Sequence, residues 1–429
     1  MHYKLFLICV ILFLIGLEWI GENFTRGYVV WIGVVVLIGG YIAYLTAVRL
    51  KYKERQTPYM PMYKPFVSII IPAKNEEKVI GQTIKEMAKI VYHRSDGKPN
   101  YELMIVDDGS TDKTLTVVQE LLEEYPQLRV HHRNPRPRSS KAAVLNEVTP
   151  ICKGEIFCIF DADARVTPNF LERIIPYLAD PKVGAVQAQK RVSNPKVNFL
   201  TSAQDDELVM LRSLEEGKDL AESAAELKGN GMLVKKVALE DVKGWNENAL
   251  TEDLDMSTRL HLHNWYIRYC PDIEVLEEGI TTFKAFLRQR RRWMEGGLKR
   301  YLDYFIPLMA LNIPITKKID VMVFFLTFIF PIWFAIDVGF IIKNFIISGE
   351  FKPSLFIIIL IALSGVTILN VSIGLYKAGV TNVWHLAIKT FRNTIYILHW
   401  VPVGIYTAFI ILVSFKPPDW RKTEHHGEE

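Results

Sequence analysis

The chain has 429 residues, of which 50% are hydrophobic and 23% charged, and its formal net charge at pH 7 is +4. This length exceeds that of a usual single domain, so we expect at least two structural units. The net charge is too small to favour nucleic acid, and we expect no nucleic-acid partner. The four cysteines show no C-x-x-C pair and no metal-ligand spacing with histidine. That pattern indicates free thiols in a reducing compartment.

Two long apolar runs open the chain. Residues 5–20 contain one charge, Glu18, and residues 28–48 contain none. A helix needs roughly 20 apolar residues to cross a bilayer, so we predict two transmembrane helices within residues 1–50. A signal peptide is the alternative for the first run, but no small-residue cleavage pattern follows it. Four basic residues within 49–55 follow the second run and predict that the next segment is cytoplasmic.

The middle of the chain has the composition of a globular α/β domain, which we place at residues 51–280. Three short apolar runs are each followed by a polar turn and a helical pattern: FVSIIIPAKNEE, YELMIVDDGSTDKT and IFCIFDADARVTPNFLERII. Strands that alternate with helices predict a mostly parallel sheet. Such a sheet binds ligands at the carboxyl ends of its strands.

Carboxylates follow two of these predicted strands. Asp107 and Asp108 end the second, and Asp161 and Asp163 end the third. Either pair alone is ordinary turn chemistry, but two pairs at one sheet edge repel one another unless a cation or hydrogen-bond donors compensate. Mg²⁺ or Mn²⁺ favours carboxylate oxygens together with substrate phosphates. Since the chain lacks a P-loop, a dinucleotide-binding turn and a hydrolase elbow, the pattern favours a metal-bridged diphosphate.

Two later stretches complete the candidate site. The glycines of KGNGMLVKK, residues 228–236, permit close backbone approach to a ligand or simply a turn. In ALTEDLDMSTRLH, Glu252 and Asp253 begin a helical pattern, where carboxylates offset the positive end of the helix dipole. Asp253 is also a candidate general base. Capping and catalysis are compatible, so both interpretations stand.

The segment QRRRW, residues 289–293, lies in a basic amphipathic pattern. One interpretation is a helix on an anionic membrane face. That interpretation accounts for five cations without any chemistry: Arg288, Arg290, Arg291, Lys299 and Arg300. It accounts less well for Gln289 and Trp293, because a diphosphate favours a bidentate cation and an indole stacks on a sugar face. We expect the segment to serve both purposes.

The C-terminal part becomes apolar again. We predict amphipathic interfacial helices at residues 281–318 and a polar tail at 416–429. Between them, at residues 319–415, we predict about three transmembrane helices and an interfacial segment near residues 383–392. An odd number of spans from a cytoplasmic start would leave the basic residues 421 and 422 outside, against the usual charge bias, so one span could instead be interfacial.

Together, PAKNEE, DDGSTD, KAAVLN, DAD, TED and QRRRW, in that order and between membrane segments, closely resemble the membrane-embedded family 2 glycosyltransferases. The resemblance is to the synthases of cellulose, chitin, hyaluronan and poly-N-acetylglucosamine, and covers roughly residues 66–293. It implies an α/β fold, a GT-A-like nucleotide-sugar domain with a mostly parallel sheet, inserted between transmembrane helices of the cell membrane. It further implies a nucleotide-sugar donor, with a UDP-sugar favoured.

The resemblance also implies a role for each motif residue. The donor-binding positions would be Pro72, Ala73, Asn75, Glu76, Asp107, Asp108, Lys141, Asp161, Gln289, Arg292 and Trp293. The metal ligands for Mg²⁺ or Mn²⁺ would be Asp161 and Asp163, and the catalytic pair would be Glu252 and Asp253. The acceptor-binding positions would be Gly229, Asn230, Gly231 and Trp293. Many relatives have Ser-Gly where this chain has Gly229 and Asn230, which leaves acceptor specificity open.

Three functional hypotheses follow. The first is inverting transfer, with Asp253 as base and Arg292 at the leaving diphosphate, to a growing polysaccharide that crosses the membrane. The alternative is a single transfer to a membrane lipid, which uses the same donor site but another acceptor path. The third is a transporter with a nucleotide-sensing domain, which the scarcity of intramembrane charges disfavours. An inverting route needs no enzyme nucleophile, and the sequence shows none.

Overall fold

The computed structural model describes residues 2–23, 28–51, 60, 62–136, 139–349 and 355–414. The predicted polar tail at 416–429, with its two basic residues, lies outside these ranges. The chain divides into two compact units. The first comprises Met1–Tyr52, Val209–Ser223 and Thr282–Asp419, and the second comprises Lys53–Leu208, Ala224–Thr281 and Trp420–Glu429.

A single mixed sheet forms the second unit. Its strands within the described residues are β1 (Val67–Ala73), β2 (Tyr101–Asp107), β3 (Leu128–His132), β4 (Ile156–Ile159), β5 (Arg165–Val166), β6 (Val183–Val192), β7 (Met232–Lys235) and β8 (Tyr266–Glu277). Their order across the sheet is β3-β2-β1-β4-β7-β6-β8-β5. The pairs β1–β2, β2–β3, β1–β4 and β6–β8 are parallel, whereas β4–β7, β6–β7 and β5–β8 are antiparallel. The predicted α/β class and mostly parallel sheet are confirmed.

Fourteen helices lie within the described residues. They are α1 (His2–Asn23), α2 (Tyr28–Lys51), α3 (Ile80–Ala88), α4 (Thr114–Leu121), α5 (Lys141–Val148), α6 (Phe170–Ile174), α7 (Phe199–Leu220), α8 (Lys236–Asp241), α9 (Glu252–Leu262), α10 (Phe283–Ala310), α11 (Ile315–Ser348), α12 (Leu355–Lys377), α13 (Val383–Ile397) and α14 (Trp400–Val413). The helices α3 to α6, α8 and α9 belong to the second unit, and α7 contributes residues to both.

The central strand β1 shows why the sheet lies between helices. Its sequence VSIIIPA is rich in β-branched residues, and all of it except Pro72 is buried, as expected for a strand covered on both faces. Because side chains alternate along a strand, Ile69 and Ile71 join the apolar cluster that contains α3. Ile70 points to the opposite face and joins the cluster that contains α5 and α9.

The first unit contains the apolar segments predicted from the sequence. Among the described residues, four helical segments are long and apolar enough to cross a membrane: Lys4–Glu22, Ile32–Lys51, Ile315–Ser348 and Val383–Val413. The last combines α13 and α14. Helices of this length and composition flank the sheet domain in the sequence, as predicted. The number of spans and their orientation remain predictions.

A buried ion cluster lies inside the first unit. The Nζ atom of Lys218 is 3.4 Å from a carboxylate oxygen of Glu215 and 3.6 Å from one of Asp320. The same ammonium lies 3.6 Å from the ring centroid of Phe324. Lys218, Glu215 and Asp320 are each at most 2% exposed. The single ammonium therefore compensates two buried carboxylates, and its loss would leave them without that cation.

Candidate active site

The parallel strands β1, β2 and β4 end at one edge of the sheet. Because β1 pairs with β2 on one side and with β4 on the other, the residues after these strands emerge at the same edge. The backbone N–H of Asp108 donates to the carbonyl of Ala73 at 2.8 Å, which joins the ends of β1 and β2. The structure thus brings Pro72, Ala73 and the four predicted acidic residues to a common edge.

The two carboxylates at the end of β2 are buried, and polar or cationic groups at the ends of β3 and β1 compensate them. Asp107 Oδ2 lies 2.7 Å from Nδ1 of His132. Asp108 Oδ1 accepts a hydrogen bond from Nη1 of Arg133 at 2.5 Å, and Lys74 Nζ lies 3.3 Å from its other oxygen. Asp107 is 0% exposed and Asp108 4%. The mutual repulsion expected of this acidic pair is therefore offset within the protein.

The turn after β1 is held by the turn after β2. Asn75 adopts a positive φ of 53°, a conformation that asparagine tolerates better than most residues. Its Oδ1 accepts from the backbone N–H of Thr111 at 2.8 Å, and its own N–H donates to Oγ of Ser110 at 2.9 Å. The N–H of Glu76 donates to Oγ1 of Thr114 at 2.7 Å. Asn75 and Glu76 thus fix the edge, while their contact with a donor stays a prediction.

Lys141 connects the DAD and TED motifs. It begins α5, whose N-terminus is capped by Ser140. Its Nζ donates to Asp161 Oδ1 at 2.5 Å and lies 3.6 Å from Oε1 of Glu252. Burial alone would lower the pKa of Lys141, but the charges of Asp161 and Glu252 outweigh burial and raise it. Lys141 is therefore a permanent cation between the two acidic motifs.

Asp253 has the strongest chemical indication of a general base. It lies in the first turn of α9, and burial, reinforced by the negative charge of Glu252, raises its pKa to about 6. The charges of Lys141 and Lys190 and a hydrogen bond from the N–H of Leu254 oppose this rise. A carboxyl group with such a pKa is ionised at neutral pH yet more basic than an ordinary aspartate.

The glycine loop lies against this base. Gly229 has a φ of +82°, and a Cβ placed on it would lie 3.3 Å from Oδ2 of Asp253. Gly231 has a φ of +72°, and its Cβ would lie 2.7 Å from Cγ1 of Val275. Both positions therefore favour glycine for conformation, and Gly231 also requires it for space.

Asn230, between the two glycines, is completely buried. Its Oδ1 accepts from the backbone N–H of Asp161 at 3.2 Å, and Nε2 of Gln187 donates to its carbonyl at 2.8 Å. Asn230 therefore ties the glycine loop to the DAD turn. Acceptor binding by Asn230 and by the neighbouring Gly229 and Gly231 stays a prediction.

The predicted metal ligands supply hard oxygens of the kind that Mg²⁺ and Mn²⁺ prefer. Asp161 contacts Lys141, and Oδ2 of Asp163 accepts from the N–H of Glu278 at 2.7 Å. Within the described residues no group of three or more His, Cys, Asp or Glu side chains could hold a metal ion. A cation that binds together with nucleotide phosphates needs only one or two carboxylates, so this pair fits such a cation.

The QRRRW segment lies on α10 in the first unit, whereas the other candidate residues belong to the second. Gln289, Arg292 and Trp293 are partly exposed. The interpretation of a purely membrane-facing cationic surface is wrong for Arg290 and Arg300, which are 2% and 7% exposed. Their roles in the helix are therefore structural as well as electrostatic.

Four side chains near the site were not among the candidates predicted from the sequence. His132 and Arg133 compensate Asp107 and Asp108, and Nζ of Lys190 lies 2.8 Å from Oε2 of Glu277 at the ends of β6 and β8. A sequence signal was present in each case, because His132, Lys190 and Glu277 lie near the ends of their strands and Arg133 directly follows β3. Only the strand order shows which charges meet.

A sheet of this order, with acidic turns at the ends of β2 and β4 and the carboxylates of Glu252 and Asp253 at the start of α9, is that of nucleotide-sugar transferases with a GT-A-like fold. The chain belongs to the family 2 glycosyltransferases, because the family described as "Glycosyltransferase like family 2" matches residues 64–296. The prediction of this enzyme family is confirmed.

Several known proteins are similar to the chain. The beta-monoglucosyldiacylglycerol synthase of Nostoc sp. (strain PCC 7120 / SAG 25.82 / UTEX 2576) is 35% identical over 375 residues, which are 85% of this chain and 77% of that protein. The protein of that name from Trichormus variabilis (strain ATCC 29413 / PCC 7937) is 33% identical over 413 residues, 94% of this chain and 84% of that protein. These names favour the lipid alternative over the polysaccharide synthases of the sequence resemblance.

A solved structure shares the fold. The mannosyltransferase PcManGT from Pyrobaculum calidifontis, in complex with GDP-Man and Mn²⁺, superimposes with a TM-score of 0.62 and 18% identity, covering 89% of this chain and 98% of that chain. At this identity the likeness shows the fold alone.

Proposed function

We propose that this enzyme transfers a single glucosyl residue from a nucleotide-diphosphate-glucose, with UDP-glucose favoured, to the hydroxyl of a membrane diacylglycerol. The observation that carries the proposal is the similarity to proteins named for this reaction, which extends over 94% of the chain in one of them. It therefore includes the apolar helices as well as the donor domain. An acceptor that dissolves in the bilayer would have to reach the enzyme through such segments.

The site supports an inverting displacement. Asp253 takes the proton of the acceptor hydroxyl as its oxygen attacks the anomeric carbon, and the bond to the diphosphate breaks on the opposite face. Gly229 lies against Asp253, since a Cβ placed on it would come within 3.3 Å of Oδ2 of the carboxylate. The carboxylates Asp107 and Asp108, fixed by His132 and Arg133, would hold the nucleoside.

The departing diphosphate carries negative charge that the protein has to stabilise. Lys141 supplies one fixed cation near the DAD turn, and Arg292 with Gln289 would supply donors from α10. Asp161 and Asp163 would hold Mg²⁺ or Mn²⁺, and the bound cation would neutralise phosphate charge.

We also propose that the enzyme is a multi-pass protein of the cell membrane with a cytoplasmic catalytic domain. Four candidate spans support the first statement. The basic residues that end and follow α2 support the second, because positive charge is enriched on the cytoplasmic side of membrane helices. The donor would then be taken from the cytoplasm.

The test uses the purified full chain in nanodiscs with Mg²⁺ or Mn²⁺ and each common nucleotide-sugar, with and without diacylglycerol. We expect nucleoside diphosphate release with one donor, dependent on the acceptor. Asp253→Asn should abolish transfer while donor affinity changes less than about threefold, because the base does not hold the donor. Release that is equal without diacylglycerol, or donor binding lost while turnover persists, would overturn the proposal.

A further inference from the structure

The second residue of QRRRW is enclosed by aromatic rings. The guanidinium carbon of Arg290 lies 4.2 Å from the ring centroid of Trp293, 4.9 Å from that of Phe286, 5.5 Å from Trp400 and 6.0 Å from Tyr396. Its Nη2 donates to the hydroxyl of Tyr396 at 2.7 Å. The residue is 2% exposed. We call these four rings the Arg290 cage.

The cage joins three helices of the first unit. Phe286 and Trp293 lie on α10 four residues before and three after Arg290, so they share its face of the helix. Tyr396 lies in the last turn of α13, and Trp400 begins α14. Arg290 therefore fixes the helix that carries the motif against the junction of α13 and α14.

An arginine suits this place better than any other cation. Its planar guanidinium stacks on rings and donates in its own plane at the same time, and it is less strongly hydrated than an ammonium. Burial of the charge is compensated by ring faces and a hydroxyl. A lysine would keep the charge but lose the stacked plane.

We propose that Arg290 is a positioning residue that holds the indole of Trp293 in the orientation needed for glycosyl transfer. This inference rests on the proposed function in one respect: Trp293 is taken to contact the reacting sugar or acceptor, as the resemblance of the QRRRW motif implies. Arg290 acts through the tryptophan that it contacts at 4.2 Å. Its loss should therefore lower the rate of transfer more than the affinity for the nucleotide-sugar.

The experiment compares Arg290→Met and Arg290→Lys with Arg291→Met as the matched control. Arg291 is the next residue of the motif, is only partly buried and lies 5.8 Å from a single ring, that of Tyr406. Tyr396→Phe removes the hydroxyl and keeps the ring. Each full-length variant is incorporated into nanodiscs with 5-fluorotryptophan, and the ¹⁹F resonance of Trp293 is assigned by its loss in Trp293→Phe.

We expect Arg290→Met to shift or broaden the Trp293 resonance and to lower kcat about a hundredfold, while the KM for the donor changes less than threefold. Arg290→Lys should fall between it and the wild type, at about a tenfold loss. Arg291→Met should keep both the resonance and kcat within about threefold. Tyr396→Phe should shift the resonance with a loss of kcat smaller than that of Arg290→Lys, because the rings of the cage remain.

An unchanged Trp293 resonance in Arg290→Met and Arg290→Lys would overturn the inference, as would equal losses in the Arg290 and Arg291 variants. If Arg290→Met fails to fold, the Arg290→Lys and Tyr396→Phe variants test the inference instead. If the wild type transfers nothing to diacylglycerol, the proposed function fails, but the resonance still reports whether Arg290 orients Trp293.

Discussion

At the scale of single residues, Asp253 determines the expected pH dependence. Its pKa is raised to about 6 by burial and by Glu252, and only its ionised form accepts a proton. We therefore expect kcat/KM to fall about tenfold for each pH unit below about 6 and to level off above it. The measurement is a pH profile of transfer at subsaturating acceptor. A profile that stays flat down to the ordinary pKa of an aspartate would contradict the assignment.

The same raised pKa predicts an effect on stability. The folded state binds the proton of Asp253 more tightly than the unfolded state does. Ionisation of this carboxyl therefore lowers the stability of the fold above pH 6, and this loss disappears below the ordinary pKa of an aspartate. Asp253→Asn should thus stabilise the fold at pH 8 by roughly 1–2 kcal/mol, after allowance for solvent screening, and by little at pH 4. Apparent melting temperatures of both proteins at the two pH values test this. An equal shift at both values would refute it.

Gly229 provides a second test at residue scale, because the chain contains a matched control. Gly229 and Gly97 have similar positive φ values of 82° and 79°, but only a Cβ at Gly229 meets Asp253, whereas a Cβ at Gly97 meets nothing within 4 Å. Both alanine variants should lose about 1 kcal/mol of stability from backbone strain. Only Gly229→Ala should lose transfer, by roughly tenfold or more, through displacement of the base. Equal activity of the two variants would show that the loop does not act on Asp253.

At the scale of elements, the sequence predicted what is local. The strands β1, β2 and β4 and the carboxylates after them follow from short apolar runs and polar turns. The same patterns did not predict the antiparallel strand β7 between β4 and β6. They also did not predict that His132 and Arg133 contact the acidic pair. Strand order is set by pairing between distant segments, which a periodicity does not encode.

The existence of helix α10 was also predictable from the sequence, whereas its contacts were not. Amphipathic helices were predicted at residues 281–318, and within that range the structure has one helix at Phe283–Ala310 and the start of α11 at Ile315. The pattern could not show that Arg290 turns inward, because its partners Tyr396 and Trp400 lie about a hundred residues further along the chain.

The buried ion cluster that joins α7 and α11 leads to a prediction about the stability of the first unit. Lys218→Met removes the cation that lies 3.4 Å from Glu215 and 3.6 Å from Asp320, and leaves two carboxylates that are at most 2% exposed without it. We expect a loss of about 3 kcal/mol of stability. Lys284→Ala, at an exposed position of α10 in the same unit, should cost less than about 0.5 kcal/mol. The test is to compare the melting temperatures of both variants in the same detergent. Similar melting temperatures would mean that the cluster does not stabilise the unit.

At the scale of the whole molecule, the membrane character and the glycosyltransferase class could be predicted, whereas the acceptor could not. Apolar runs and the six donor motifs are continuous stretches of sequence. The acceptor depends on how membrane helices are shaped, and the same motifs serve polymer and lipid acceptors alike. The resemblance of the motifs therefore favoured a polysaccharide, while relatives matched over most of the chain carry the name of lipid glucosyltransferases.

The most direct test of glycosyl transfer to a lipid is the size and solubility of the product. The full-length enzyme in diacylglycerol vesicles is incubated with the labelled nucleotide-sugar that it accepts, and the product is separated by organic extraction and analysed by mass. We expect an organic-soluble lipid with one added hexose, in inverted configuration, for each nucleoside diphosphate released, and no such product with Asp253→Asn. A long, water-soluble product retained by the enzyme would contradict it and would restore the polysaccharide hypothesis.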